Sequence, residues 1–317
     1  MTKGDVYTKE IFERILNEGC MDINPRPHYE DEVLVDGRTV TDLLGNVIEL
    51  SENQGLIKRN NKWYLCTPAH TLSVNHGMCT YDLTKGESPL ITLRPIATKS
   101  SIGELLWIYQ DESNDLNILR DKYGVSWWDE WDIGNRTIGS VYGETVRRHK
   151  LMKKLLEEIK NNPDGRRHNM DLWQEDDFKK PHGLKPCAYR TDWNVRHGKD
   201  GIDYLDMSLK QRSSDFATAG CINQVQYLVL LHLVARHLDL CPGRFTWYYD
   251  NIQIYDRHIN QVNELLSRES VECNPTIKLN PNKKNFYDFT PEDITIEDYP
   301  KELIKKKNPQ VKFEIAI

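Results

Sequence analysis

An α+β domain built around one buried helix is the fold this sequence predicts, and three observations carry that expectation. Residues 222–238 are apolar nearly all round (Val225, Leu228, Val229, Leu230, Leu231, Leu233, Val234), so they should form a helix buried on every side. Residues 187–196 and 202–212 alternate as a pair of strands would. No internal repeat, low-complexity tract or linker separates these signals, so 1–317 reads as a single domain.

The remaining elements follow in chain order. Val6, Ile11, Phe12, Ile15 and Leu16 recur at helical spacing across 5–18, and Gly19 is a natural terminator. Pro25 and Pro27 hold 24–30 extended. From about 31 to 66, turn pairs (Asp36-Gly37, Gly45-Asn46, Asn60-Asn61) interrupt short apolar runs, which reads as a β-hairpin insertion. Residues 67–74 enter a strand. An apolar helix covers 100–110 and contains Glu104; a second, with Lys and Glu on its outer face, covers 145–161. A further strand is expected at 244–250, a further helix at 256–267, and a strand-like apolar tail at 311–317.

With 317 residues, 38% hydrophobic and 28% charged, the composition is that of a globular protein. No run approaches the roughly eighteen apolar residues of a membrane span. The opening Met1-Thr2-Lys3-Gly4-Asp5 has no signal-peptide character, so a cytoplasmic protein is expected. A net charge of −6 argues against a dedicated nucleic-acid binder, yet a few clustered arginines can still make a pocket for a small anion. The seven cysteines are scattered, without a C-x-x-C pair. That is neither a disulfide framework nor a zinc site, and it fits a reducing compartment.

The chemistry is concentrated in Pro186-Cys187, in Gln211-Arg212-Ser213-Ser214-Asp215, and in Asn223. A thiol is a soft nucleophile whose free pKa of about 8.5 must be drawn down by positive charge to give a thiolate. Arg212 is the candidate, because the strand pair can bring it close to Cys187. Arginine and serine together can clamp a phosphate. A side-chain amide donates and accepts at once, which suits the O4 and N3–H edge of uracil. Alone, a Pro-Cys is mostly structural, and Asn223 would serve as a helix cap. In this order, with Asn223 eight residues past Asp215 (223 − 215), the pattern resembles the thymidylate synthase family. Those are folate-dependent enzymes that methylate deoxyuridine monophosphate. The resemblance is continuous over 67–317 and looser over 5–30.

That resemblance implies a large mixed sheet flanked by helices and a homodimer assembled sheet to sheet. It also implies dUMP as substrate, 5,10-methylenetetrahydrofolate as co-substrate, and no metal. Cys187 would add to C6 of the ring and make C5 nucleophilic enough to take the one-carbon unit. Glu104, in Gly103-Glu104-Leu105-Leu106-Trp107, would handle protons, its carboxyl raised by apolar neighbours. Tyr142 joins these two as a catalytic candidate. Arg212 and Ser213, with Gln211 beside them, would hold the phosphate within one subunit. Arg166 and Arg167 would reach it across the dimer, and Arg26 is the candidate for a further N-terminal arginine. Asn223 would read uracil, since relatives acting on cytidylate carry aspartate there. Gln253 and Tyr255 would face the sugar. Trp128 and Trp131, with Val141-Tyr142-Gly143, would wall the folate, Asp215 would bond its pterin, and Ile317 would close over it.

Some positions depart from the family pattern. Ala188 follows the nucleophile where histidine is common, and Gln253 stands where histidine precedes the sugar-binding tyrosine. Asp250-Asn251 replaces Gly-Asp, and Ala219-Gly220-Cys221-Ile222 replaces a Gly-x-Pro-Phe stretch. None removes an atom the chemistry needs. They leave room for two alternatives: a dUMP hydroxymethylase using the same folate, and a catalytically silent relative that binds nucleotide or RNA.

Overall fold

The computed structural model describes residues 1–59 and 61–314. Its main sheet has seven strands. Strand Cys241–Tyr255 lies at the centre, antiparallel to Thr71–Asp82 on one side and parallel to Asp203–Gln211 on the other. Ala188–His197 follows antiparallel to Asp203–Gln211, and the short strands Asn169–Asp171 and Cys20–Met21 form the two edges. Ser214–Asp215 pairs alongside Ile252 and Gln253. The sheet is mixed, as expected. The paired strands predicted at 187–196 and 202–212 are present within one residue at each end.

Alternation along Cys241–Tyr255 shows which way the sheet faces. Phe245, Trp247 and Tyr249 are buried, while Arg244, Tyr248 and Asp250 are exposed. Met78, the register partner of Tyr248, is also exposed on that open face. The inner face is covered by helix Cys221–His237, in which Val229, Leu230, Leu231, Leu233 and Val234 are fully buried. The span Phe216–His237 is long and apolar enough to cross a membrane, but most of it is buried inside the fold, as befits a core helix.

The first helix is Lys3–Glu18, two residues longer at its start than the apolar periodicity alone indicates. A capping box accounts for this: Thr2 accepts from the Asp5 N–H, and Asp5 accepts from the Thr2 N–H. The same buried carboxylate also takes the Thr92 N–H at 2.6 Å and its hydroxyl at 2.7 Å, fastening the helix to the loop before Thr98–Tyr109. Gly19 ends the helix through close approach, not through a left-handed turn. Its φ is −66°, and a Cβ there would lie 2.3 Å from the Ile15 carbonyl oxygen.

Three expectations need correction. The 145–161 helix is two helices, Gly143–His149 and Leu151–Asn161, separated by Lys150 at φ 53°. Arg148 and His149 both turn to the buried carboxylate of Asp177, which also accepts from the Thr145 hydroxyl, and this tertiary clamp ends the first helix. The 31–66 segment is more than a hairpin. It belongs to a separate four-stranded sheet in the order Thr39–Thr41, Arg26–Asp36, Lys62–Ala69, Gly55–Arg59, closed over a small core of Val33, Val40 and Leu65. It begins at Arg26 because the extended 24–30 stretch runs straight on into the first long strand. Lastly, Val311 to Glu314 form no strand. Side chains hold this tail, with the Phe313 ring against His258 and Arg94, and the Glu314 carbonyl 2.8 Å from His258 Nε2. Residues 315–317 lie outside the described residues.

Candidate active site

Cys187 lies at the start of strand Ala188–His197, where a bulge at Tyr189 interrupts the ladder. The pairing Ala188↔Gln211 places the next residue of each strand end side by side, and the Arg212 N–H donates to the Cys187 carbonyl at 2.9 Å. The Arg212 guanidinium is aimed by the Pro186 and Lys185 carbonyls, each 2.9 Å away, and by the face of Trp173. Its Nη2 comes to 3.8 Å from the Cys187 sulfur. The backbone N–H of Cys187 donates to the Tyr142 hydroxyl at 3.1 Å. Tyr142 itself sits at φ 51°, strained for a side chain of that size, followed by Gly143, where a Cβ would strike the Ser113 carbonyl oxygen.

Electrostatics at the thiol differ from the expected simple lowering. Burial pushes the Cys187 thiol up, and the positive charges of Arg212 and then Arg26 pull against it without prevailing. Arg26, far away in sequence, is thus a neighbour of the nucleophile. The Arg26↔Ala69 pairing at the end of the small sheet delivers it there, and its charge also reaches Tyr255.

Glu104 is buried on helix Thr98–Tyr109, not on a solvent face. Its two oxygens accept from the Trp127 and Trp128 indoles at 2.7 and 2.9 Å. Burial pushes its carboxyl up, and hydrogen bonds from Trp128, Trp127 and Gln226 partly offset this. Trp128 packs on Tyr142 and Trp131 at centroid distances of 4.9 and 5.3 Å, so the acid and the aromatic wall are one unit.

Asn223 opens the core helix, its Oδ1 accepting from Gln211 Nε2 and its Nδ2 donating to Gln226 Oε1, both at 3.1 Å. Gln211 is held in turn by the Trp247 indole at 2.9 Å and the Ser213 carbonyl at 3.1 Å. Gln253 donates to the Ser213 hydroxyl at 3.3 Å, while its Oε1 is buried and unpartnered, ready to accept from a ligand hydroxyl. Tyr255 ends the same strand, two residues on.

Asp215 caps the turn Phe216–Gly220 through a long 3.4 Å bond from the Thr218 N–H. Burial pushes its carboxyl up to about 6. A raised carboxyl costs stability once ionised, so the penalty grows as pH climbs from about 4 through 6 and is complete above that. Asp215→Asn should therefore stabilise the ligand-free protein at pH 8 by on the order of 1–3 kcal/mol, an advantage that shrinks towards pH 5. Urea unfolding at the two pH values measures it, and equal gains at both would refute the assignment.

The site thus gathers Cys187, Tyr142, Glu104, Arg212, Arg26, Gln211, Ser213, Asn223, Gln253, Tyr255, Asp215, Trp128 and Trp131. Arg166 and Arg167 are not gathered with them. They are exposed between Leu151–Asn161 and Asn169–Asp171, and neither is among the charges acting on Cys187. Ile317 lies outside the described residues. Among the described residues, no three His, Cys, Asp or Glu side chains form a metal-ligating group. Sequence reasoning missed Trp127, Trp247 and Gln226. Trp127 had a signal, being one half of a tryptophan doublet; Trp247 looks like an ordinary core position, and Gln226 like a stray polar residue in an apolar helix.

A family model described as thymidylate synthase matches residues 41–317. Thymidylate synthases of Lactococcus lactis subsp. cremoris and Streptococcus pneumoniae are each 40% identical to this chain, over the full length of both chains in each case. A solved structure of thermostable thymidylate synthase A from Bacillus subtilis superposes with a TM-score of 0.79 at 31% identity, covering 99% of each chain. The match spans the small sheet as well as the large one, and with the site geometry it places the chain in the thymidylate synthase family.

Proposed function

We propose that this chain, acting as one domain in the cytoplasm, converts dUMP to dTMP by reductive methylation with 5,10-methylenetetrahydrofolate, releasing dihydrofolate. The observation that carries the reading is the placing of a cysteine sulfur beside Arg212, in one site with a buried glutamate and an oriented asparagine amide.

Cys187 is the nucleophile for C6 of the uracil ring. Arg212, Arg26 and the Ser213 hydroxyl take the phosphate, whose arrival gives the two guanidinium groups a second anion to share. Asn223 accepts from N3–H and donates to O4. Glu104, kept out of water with its carboxyl raised, exchanges protons with the ring carbonyl side. Gln253 and Tyr255 meet the sugar. The donor set fits a folate: a half-buried carboxyl at Asp215, held by a long 3.4 Å bond from the Thr218 N–H, for its ring nitrogens, and Trp128 and Trp131 for its flat face. When bound, that co-substrate supplies the one-carbon unit and the hydride. Trp128 and the tail anchored by His258 and Arg94 keep water out, which favours methylation over hydroxymethylation. Arg166 and Arg167, exposed and remote, act in a partner's site across the open sheet face.

The test is spectrophotometric: dihydrofolate should appear when dUMP and methylenetetrahydrofolate are mixed with the protein. 5-Hydroxymethyl-dUMP as the main product, with tetrahydrofolate unoxidised, would overturn the reading. For the base, Asn223→Asp should weaken dUMP use and improve relative turnover of dCMP. A mismatched buried hydrogen bond costs about 1–3 kcal/mol, roughly ten- to a hundredfold. Unchanged discrimination would remove Asn223 from the role of reader.

A further inference from the structure

We infer that Gln226 is a positioning residue that couples the base-reading amide of Asn223 to the carboxyl of Glu104, locking the amide in the sense that fits uracil. This rests on the roles proposed above for Asn223 and Glu104.

Four polar side chains run head to tail through the buried end of the site. At one end the Trp247 indole N–H can only donate, and it donates to Gln211 Oε1 at 2.9 Å. The Ser213 carbonyl can only accept, and it takes Gln211 Nε2 at 3.1 Å, so the sense of the Gln211 amide is fixed from both sides. Gln211 Nε2 also donates to Asn223 Oδ1, which fixes Asn223 in turn. Asn223 Nδ2 then donates to Gln226 Oε1 at 3.1 Å. Gln226 is itself buried, and its Nε2 has no hydrogen-bond partner within the chain. That nitrogen is nonetheless close enough to Glu104 to favour its ionised form. The row therefore runs by hydrogen bonds from an indole that only donates to a buried amide whose unpartnered donor lies near the Glu104 carboxyl.

The consequence follows from counting hydrogen-bond capacity. Asn223 has two lone pairs on Oδ1 and two hydrogens on Nδ2. Gln211 and Gln226 take one of each. What remains is one acceptor and one donor, the complement of uracil N3–H and O4. Cytosine needs the amide turned over. That would set Nδ2 against Gln211 Nε2, donor to donor, and Oδ1 against Gln226 Oε1, acceptor to acceptor. Gln211 cannot turn with it. Gln226 could, but only by pointing Oε1 at the Glu104 carboxylate. Gln226 thus excludes the wrong base with one end of its amide and turns the other end, an unpartnered donor, toward the acid. Tyr142 and Tyr227, the other titratable groups that sense Glu104, are both held protonated by burial, so the donor from Gln226 has no competing charge beside it.

Two near-isosteric variants separate these tasks. Gln226→Met keeps the volume and removes both polar ends; Gln226→Glu keeps an acceptor for Asn223 and replaces the donor with a second acid. Binding of dUMP and dCMP is read by calorimetry, and kcat by its pH profile. Gln226→Met should lose about tenfold or more of its preference for dUMP over dCMP, whereas Gln226→Glu should keep most of it. In both variants the acidic limb of kcat should move to higher pH, because the Glu104 carboxylate loses the nearby amide N–H that favours its charge, and further in Gln226→Glu, where a like charge is added. The inference is overturned if the base preference of Gln226→Met matches that of the parent, or if both variants lose activity with the acidic limb unmoved. A parent protein that produces no dihydrofolate would instead defeat the proposed function, and that is seen before any variant is compared.

Discussion

Cys187→Ala should give a folded protein that binds dUMP and produces no measurable dihydrofolate, a loss of at least several orders of magnitude in turnover. Six other thiols exist in the chain, and the structure explains why none can substitute. Cys79 and Cys221 are buried in the core, with burial pushing the first up to about 12 and raising the second as well. Cys20 and Cys241 are exposed on the surface, Cys66 belongs to the small sheet, and Cys273 lies beside the amino terminus, its thiol pushed up to about 11 by burial. Cys187 is neither sealed in the core nor out on the surface, and Arg212 Nη2 lies 3.8 Å from its sulfur. Turnover by Cys187→Ala, or an inactive Cys221→Ala with intact folding, would place the nucleophile elsewhere. Calorimetry with dUMP guards against a trivial result, since the phosphate and base contacts do not use the sulfur.

The reaction centre was legible because its parts lie at the ends of elements with clean periodicity. The alternation over 187–196 and 202–212 sets one register, and that register alone brings Cys187 and Arg212 together. Asn223 is equally legible, sitting at the head of a helix that is apolar on every side. What the sequence hides are effects that depend on distant partners. The break at Lys150 follows from Asp177, a residue 27 positions away (177 − 150) that captures Arg148 and His149. Arg26 reaches the thiol only because the small sheet pairs it with Ala69. The net rise of the Cys187 thiol reflects burial outweighing two guanidinium groups, a balance no local motif encodes. Gln226 is the sharpest case: within an apolar helix it looks like a stray polar residue, and it acquires meaning only once Asn223 and Glu104 stand on either side of it.

Mixing two inactive variants, Cys187→Ala and Arg167→Ala, should restore a measurable fraction of parental activity. The argument begins with charge. Within one chain Arg212 and Arg26 act on the thiol, while Arg166 and Arg167 lie exposed on a loop and form no ion pair among the described residues. Two adjacent, unpaired and exposed cations beside an ordered strand are free to meet an anion from outside the chain. The open face of the main sheet, with Met78 and Tyr248 exposed opposite each other, is where a second copy would pack. In a two-fold dimer each loop then approaches the partner's phosphate site. A hybrid carries one site with both defects and one with neither, and random exchange makes hybrids half of all dimers. About a quarter of parental sites should therefore recover, read as dihydrofolate formation after subunit exchange. Sedimentation as a monomer would end this reading at once. So would silence of the mixture when exchange is shown independently by a labelled subunit, since both arginines would then serve their own chain or no phosphate at all.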